Sequence, residues 1–207
     1  MQWGDFDVSE LALYWDPLPT VRESAGERSV SVDQAPSDFR MPMPGDYLLG
    51  KWEEHNWRNV PGPFYGALTD NCWTGRLAAP AHILYDDEQH STEFVYRQPR
   101  NEADTYKVLY AAVNDPYAGY ACDGDDHWTP DSVRAWWADR RRLVEWIDRA
   151  TARWLASERS DEREIVEGLN LYKQYVDGEL EAHLRAYIFW LDQRRVPLVG
   201  EILPGLA

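Results

Sequence analysis

The chain is poor in cysteine, in positive charge and in long apolar runs. Only Cys72 and Cys122 occur in 207 residues. Two thiols are too few for a disulfide scaffold or a four-cysteine zinc or iron–sulfur site, which suits a reducing cytoplasm. Lys and Arg number 21 against 36 Asp and Glu, a formal charge of −15. A surface of that sign repels phosphate, so a nucleic-acid binder working through a Lys/Arg footprint is excluded and anionic membranes are disfavoured. No stretch approaches the ~18 consecutive apolar residues of a membrane helix. The start, Met1-Gln2-Trp3-Gly4-Asp5, has neither the basic region nor the apolar run of a leader peptide. Gly-x-Gly-x-x-Gly, P-loop, Gly-x-Ser-x-Gly and His-Glu-x-x-His patterns are all missing, so no motif names a cofactor or a catalytic residue.

What is present is an aromatic-rich chain, 44% hydrophobic and 14% aromatic, able to build a real core. Its acidity is uneven. The first 130 residues hold 22 acidic and 9 basic side chains, a net of −13, whereas the remaining 77 hold 14 and 12. One end of the molecule is therefore expected to present a directed negative field.

The pattern along the chain predicts an α+β fold with no internal repeat. Residues 1–45 read as an N-terminal arm, partly extended or mobile. Pro17 and Pro19 end a short apolar pattern, and Thr20–Gly45 has few large apolar residues to offset its ordering entropy. If Trp3 and Trp15 dock, the arm becomes a tether. Residues 46–207 read as one domain: an irregular, aromatic-rich half with a small sheet, packed on a C-terminal antiparallel helical hairpin. Short strands are expected at 81–85 and 93–97. Asn101 opens a helix with Asp104 three residues on, and Thr129-Pro130-Asp131 opens another. The hairpin helices are expected at about 130–157 and 160–195. The first carries the stripe Val133, Trp136, Trp137, Leu143, Val144, Ile147, Thr151, Trp154 and Leu155, and Trp146 falls outside it.

Candidate functional residues fall into three groups. Arg140 interrupts the first hairpin stripe, and His183 lies in the second with Glu179 one turn earlier, so Arg140 and Glu179 are an expected pair beside a polar pocket. The loop from Asn59 to Arg76 combines glycines, aromatics and polar side chains. Arg58, Tyr65, Asn71, Cys72, Trp73 and Arg76 are its candidates for lining a ligand pocket. Cys72 reads as a buried turn residue that would need His82 or His90 as a base to act as a nucleophile. Acidic clusters at Asp86-Asp87-Glu88 and at Asp123, Asp125 and Asp126 are candidates for meeting a basic partner. The second cluster lacks the glycine and distal Glu of an EF-hand. Convergence of Cys72, His82, His90, Cys122 and His127 on zinc is a tertiary question that spacing leaves open, and no metal site is expected. Ser91-Thr92-Glu93 before Phe94 resembles an ADP-ribosyltransferase strand over three common residues, which would make Arg58 a NAD contact.

Two functions follow as expectations. The first is a non-catalytic acidic binding protein that recognises a basic protein partner, as an inhibitor, immunity protein or antitoxin does. The alternative is a small enzyme or ligand-binding protein whose aromatic pocket is formed by the 59–76 loop.

Overall fold

A computed structural model describes residues 14–27, 35–36, 38–70, 72–85, 92–156 and 163–207. The α+β class is as the sequence pattern predicts. Among the described residues there are seven helices and two short antiparallel ladders, and no helix is long and apolar enough to cross a membrane.

The helices are α1 (Leu18–Glu23), α2 (Thr74–Ala78), α3 (Glu102–Asn114), α4 (Pro130–Ala138), α5 (Arg140–Leu155), α6 (Arg163–Asp177) and α7 (Leu180–Gln193). Strand β1 (Tyr65–Gly66) pairs with β4 (Tyr120–Ala121), and β2 (Ile83–Tyr85) pairs with β3 (Glu93–Val95). The β2–β3 hairpin divides the core. Leu84, Phe94 and Tyr96 join the aromatic cluster of α4–α7 on one side. Ile83 and Val95 point the other way, into a cluster with Val21, Met41 and the buried face of α3. Alternation along a strand therefore fills two cores, because both faces are covered.

Several helix starts follow their sequence signals. Asn101 accepts a hydrogen bond from the Asp104 amide at 2.9 Å. Thr129 and Ser132 form a reciprocal capping box, with Pro130 at the first helical position. At α1 the prolines act in the opposite sense to the expectation. Pro17 stands at the N-cap and Pro19 lies in the first turn, where a missing amide costs nothing, so they begin a helix. The following chain folds back, Gly26 N–H donating to Met41 O and Met41 N–H to Glu27 O. Tyr14, Val21 and Met41 are buried, and the Trp15 indole donates to Thr105 Oγ1 at 3.1 Å. The described part of the arm is thus docked. Trp3 lies outside the described residues.

Each expected hairpin helix is present in two pieces. The first breaks at Asp139, whose φ of −86° and ψ of 4° leave the helical region. The second breaks at Gly178-Glu179, where glycine's backbone freedom disfavours continuation. The break at Asp139 turns the buried face of α5. Leu143, Trp146, Ile147, Ala150 and Trp154 form the stripe, so Trp146 is core, whereas Arg140 and Leu155 face solvent. On α3 the deepest face is Thr105, Val108, Leu109, Ala111 and Ala112, and Tyr106, Tyr110 and Val113 lie at its margin.

Candidate functional site

Much of the described part of the 59–76 loop is packed. Asn59 is buried and links three segments. Its side-chain nitrogen donates to Asn56 O and Gly66 O, and its oxygen accepts from the amides of Gly66 and Val95. Phe64, Tyr65 and Ala67 are fully buried. The Tyr65 hydroxyl donates to Asp123 Oδ1 at 2.7 Å, and burial followed by that carboxylate holds its pKa well above the usual phenol value. Trp73 adopts a left-handed conformation, φ 67°, and stacks on Tyr85 at 5.2 Å. The Arg76 guanidinium donates to the carbonyls of Pro80 and Ile83 and lies against Gly168 of α6. Of the side chains expected to line a pocket, Tyr65, Trp73 and Arg76 are engaged in packing and in hydrogen bonds to Asp123 and to backbone carbonyls. Asn71 lies outside the described residues.

Glu93 holds this region together. Its carboxylate accepts from the amides of Gly75 and Arg76 at 3.0 and 2.9 Å and from the Tyr120 hydroxyl at 2.7 Å. Burial pushes its pKa up to about 7 against the opposition of those donors, and Asp70 adds to the rise. This occupied, buried position gives no support to the ADP-ribosyltransferase resemblance.

The expected pair of Arg140 with Glu179 does not form. Arg140 is exposed, stacks on Trp137 at 4.1 Å and donates to Trp137 O. Glu179 pairs with Arg97 at 3.0 Å and with Arg100 at 2.5 Å, which hold its carboxyl below the ordinary range. His183 lies among the rings of Tyr14, Tyr175 and Tyr187. Burial there, helped by the charges of Arg100 and Arg97, lowers its pKa to about 4, so it is neutral at neutral pH.

Cys72 is exposed, contrary to the expectation of a buried turn residue, and Cys122 is half-buried with its thiol pushed up to about 11 by burial. His82 is committed elsewhere. Its Nδ1 meets Arg97 O at 2.9 Å and its Nε2 lies 3.5 Å from Asp104, whose pKa falls to about 2 chiefly through that contact. Among the described residues no three His, Cys, Asp or Glu side chains gather to hold a metal. His90, like Asp86, Asp87 and Glu88, lies outside them.

The Asp123–Asp126 segment divides its carboxylates between two jobs. Asp125 is buried and accepts from the Tyr187 hydroxyl at 2.7 Å and the Trp190 indole at 3.0 Å, so it anchors the segment to α7 and is not a surface charge. Burial raises its pKa. Asp123 and Asp126 are exposed. Beside them the Trp52 ring is stacked between His55, at 4.1 Å, and His127, at 4.7 Å, and His127 Nε2 lies 3.3 Å from Asp123. Glu53 and Glu54, next to Trp52 in the chain, are also exposed. The result is an aromatic stack with exposed carboxylates at Asp123 and Asp126, and with Glu53 and Glu54 following Trp52. Trp52, His55 and His127 were missed as a unit because their stacking joins segments more than 70 residues apart.

A second feature lies beyond His55. A cleft of about 170 Å³ opens between the Trp57 loop and the α4–α5 corner, lined by His55, Trp57, Trp136, Asp139, Arg140, Arg142 and Leu143. Comparison of the chain with protein-family models, curated proteins and solved structures finds no match.

Proposed function

We propose that this is a non-catalytic binding protein whose acidic surface around Trp52 recognises a basic protein partner in the cytoplasm. The observation that supports this reading most is the division of labour at Asp123–Asp126. Asp125 locks the segment to α7, and Asp123 and Asp126 remain exposed beside a stacked aromatic group. A preorganised aromatic anchor with flanking charge is the arrangement that gives a protein interface its hot spot and its association rate. The −13 carried by the first 130 residues supplies the longer-range field.

The test is calorimetric titration with Arg/Lys-rich peptides of equal length and charge but shuffled sequence. The reading expects affinities that differ among the shuffled peptides, fall steeply with salt, and drop on joint Asp123→Lys and Asp126→Lys substitution. Equal affinities across the panel, or indifference to the two reversals, would refute it.

A further inference from the structure

Alternating aromatic rings and guanidinium groups run from the core to the surface beside the cleft. Trp146 is buried, and the Arg58 guanidinium, itself only 4% exposed, lies 4.4 Å from its ring centroid and 4.6 Å from that of Trp57. The Arg142 guanidinium lies over Trp57 at 4.0 Å. Trp57 is pinned in turn by the Trp136 indole, which donates to Trp57 O at 3.3 Å. Arg142 is therefore the outermost member of a stacked series whose inner members are fixed, and its side chain is 57% exposed where it lines the cleft. A guanidinium placed over a ring in this way has fewer orientations to lose, so less entropy is lost when it binds a planar acceptor.

We infer that this cleft is a binding site for a small aromatic monocarboxylate. The carboxylate is indicated by the planar fork of Arg142, which matches it bidentately. The aromatic part is indicated by Trp57, Trp136 and Leu143, the apolar side chains that line the cleft of about 170 Å³. The single negative charge is indicated by the lining, in which Arg140 and Arg142 are opposed by Asp139, 3.8 Å from Arg142. A polyanion such as a nucleotide phosphate would meet one net local charge and the repulsion of a −15 chain. The inference shares only His55, at the edge of the cleft, with the basic-partner reading, and the carboxylate recognition assigned to Arg142 does not depend on that residue.

The experiment is two-dimensional NMR of the indole N–H signals in the full-length protein, titrated with 2-naphthoate and with the neutral isostere 2-naphthamide. The Trp136 signal is expected to shift saturably with 2-naphthoate, and the amide to bind at least about tenfold more weakly. Arg142→Gln should weaken 2-naphthoate about tenfold, and Arg142→Lys, which keeps the charge but not the fork, by an intermediate factor. Arg141→Gln, on the same turn but paired with Glu145, should leave binding unchanged. Equal binding of acid and amide, full affinity in Arg142→Gln, or no saturation by about 5 mM would each overturn the inference.

Discussion

Glu93 and His183 have opposite effects on the pH dependence of stability, and substituting either one exposes the other. In the folded protein the Glu93 carboxyl titrates near 7 instead of 4.5. The folded state thus holds a proton that the unfolded chain releases, and the associated stability is complete below pH 4.5 and lost as pH rises through 7. His183 titrates near 4 instead of 6.5. Its depressed value gives stability that is complete above pH 6.5 and lost as pH falls through 4. Each displacement corresponds to roughly 3 kcal/mol. Between pH 4.5 and 6.5 the two slopes oppose, and their contributions nearly cancel in the wild-type protein. Asp125, whose pKa is also raised, acts in the sense of Glu93 from pH 3.8 upward but is common to every protein compared. Asp104 titrates between 3.8 and about 2, below the window.

Relative to wild type, Glu93→Gln should therefore gain stability by about 3 kcal/mol from pH 4.5 to 7, and His183→Gln should lose about as much from pH 4 to 6.5. Urea denaturation followed by tryptophan fluorescence at half-unit pH intervals measures both. The slope carries the information, because each substitution also lowers stability at all pH values by disturbing buried contacts. Profiles of Glu93→Gln and wild type that run parallel across pH 4–7 would refute the reasoning.

Other consequences are direct. Asp125→Asn keeps one acceptor where the carboxylate serves both Tyr187 and Trp190, and should cost about 1–3 kcal/mol in the same urea assay. Gly66→Ala would place a Cβ 2.3 Å from the Glu93 carbonyl oxygen, and should cost about 3 kcal/mol or fail to fold, whereas Gly45→Ala, with open space around it, should be nearly silent. Titration with a chromogenic disulfide at pH 8 should find Cys72 fast and Cys122 slow, since the second thiol is half-buried and titrates near 11.

The parts of the fold that were legible in the sequence are those set by neighbours in the chain. Asn101 with Asp104, Thr129 with Pro130, and the apolar runs that became β2 and β3 are all local signals. The Gly178 break has a local marker, a glycine inside a helical pattern, although one helix was expected to run through it, and the Asp139 break has no comparable marker. Extending one helical period across it misplaced both Arg140 and Trp146. The polar hubs were illegible for a different reason. Asn59 reaches Val95, Glu93 reaches Gly75 and Tyr120, and Asp125 reaches Tyr187 and Trp190, so the reason each is tolerated in the core lies tens of residues away. The same holds for the candidate surface. Asp123, Asp125 and Asp126 look alike in sequence, and only packing against α7 separates the anchor from the exposed pair.

The most direct test of the basic-partner reading is where a bound basic peptide perturbs the protein. In an NMR titration with the tightest-binding peptide of the shuffled panel, the account predicts saturable shifts at the Trp52 indole, His127 and Asp126, abolished by joint Asp123→Lys and Asp126→Lys substitution. Shifts spread evenly over all exposed carboxylates, or confined to residues away from Trp52, would contradict it.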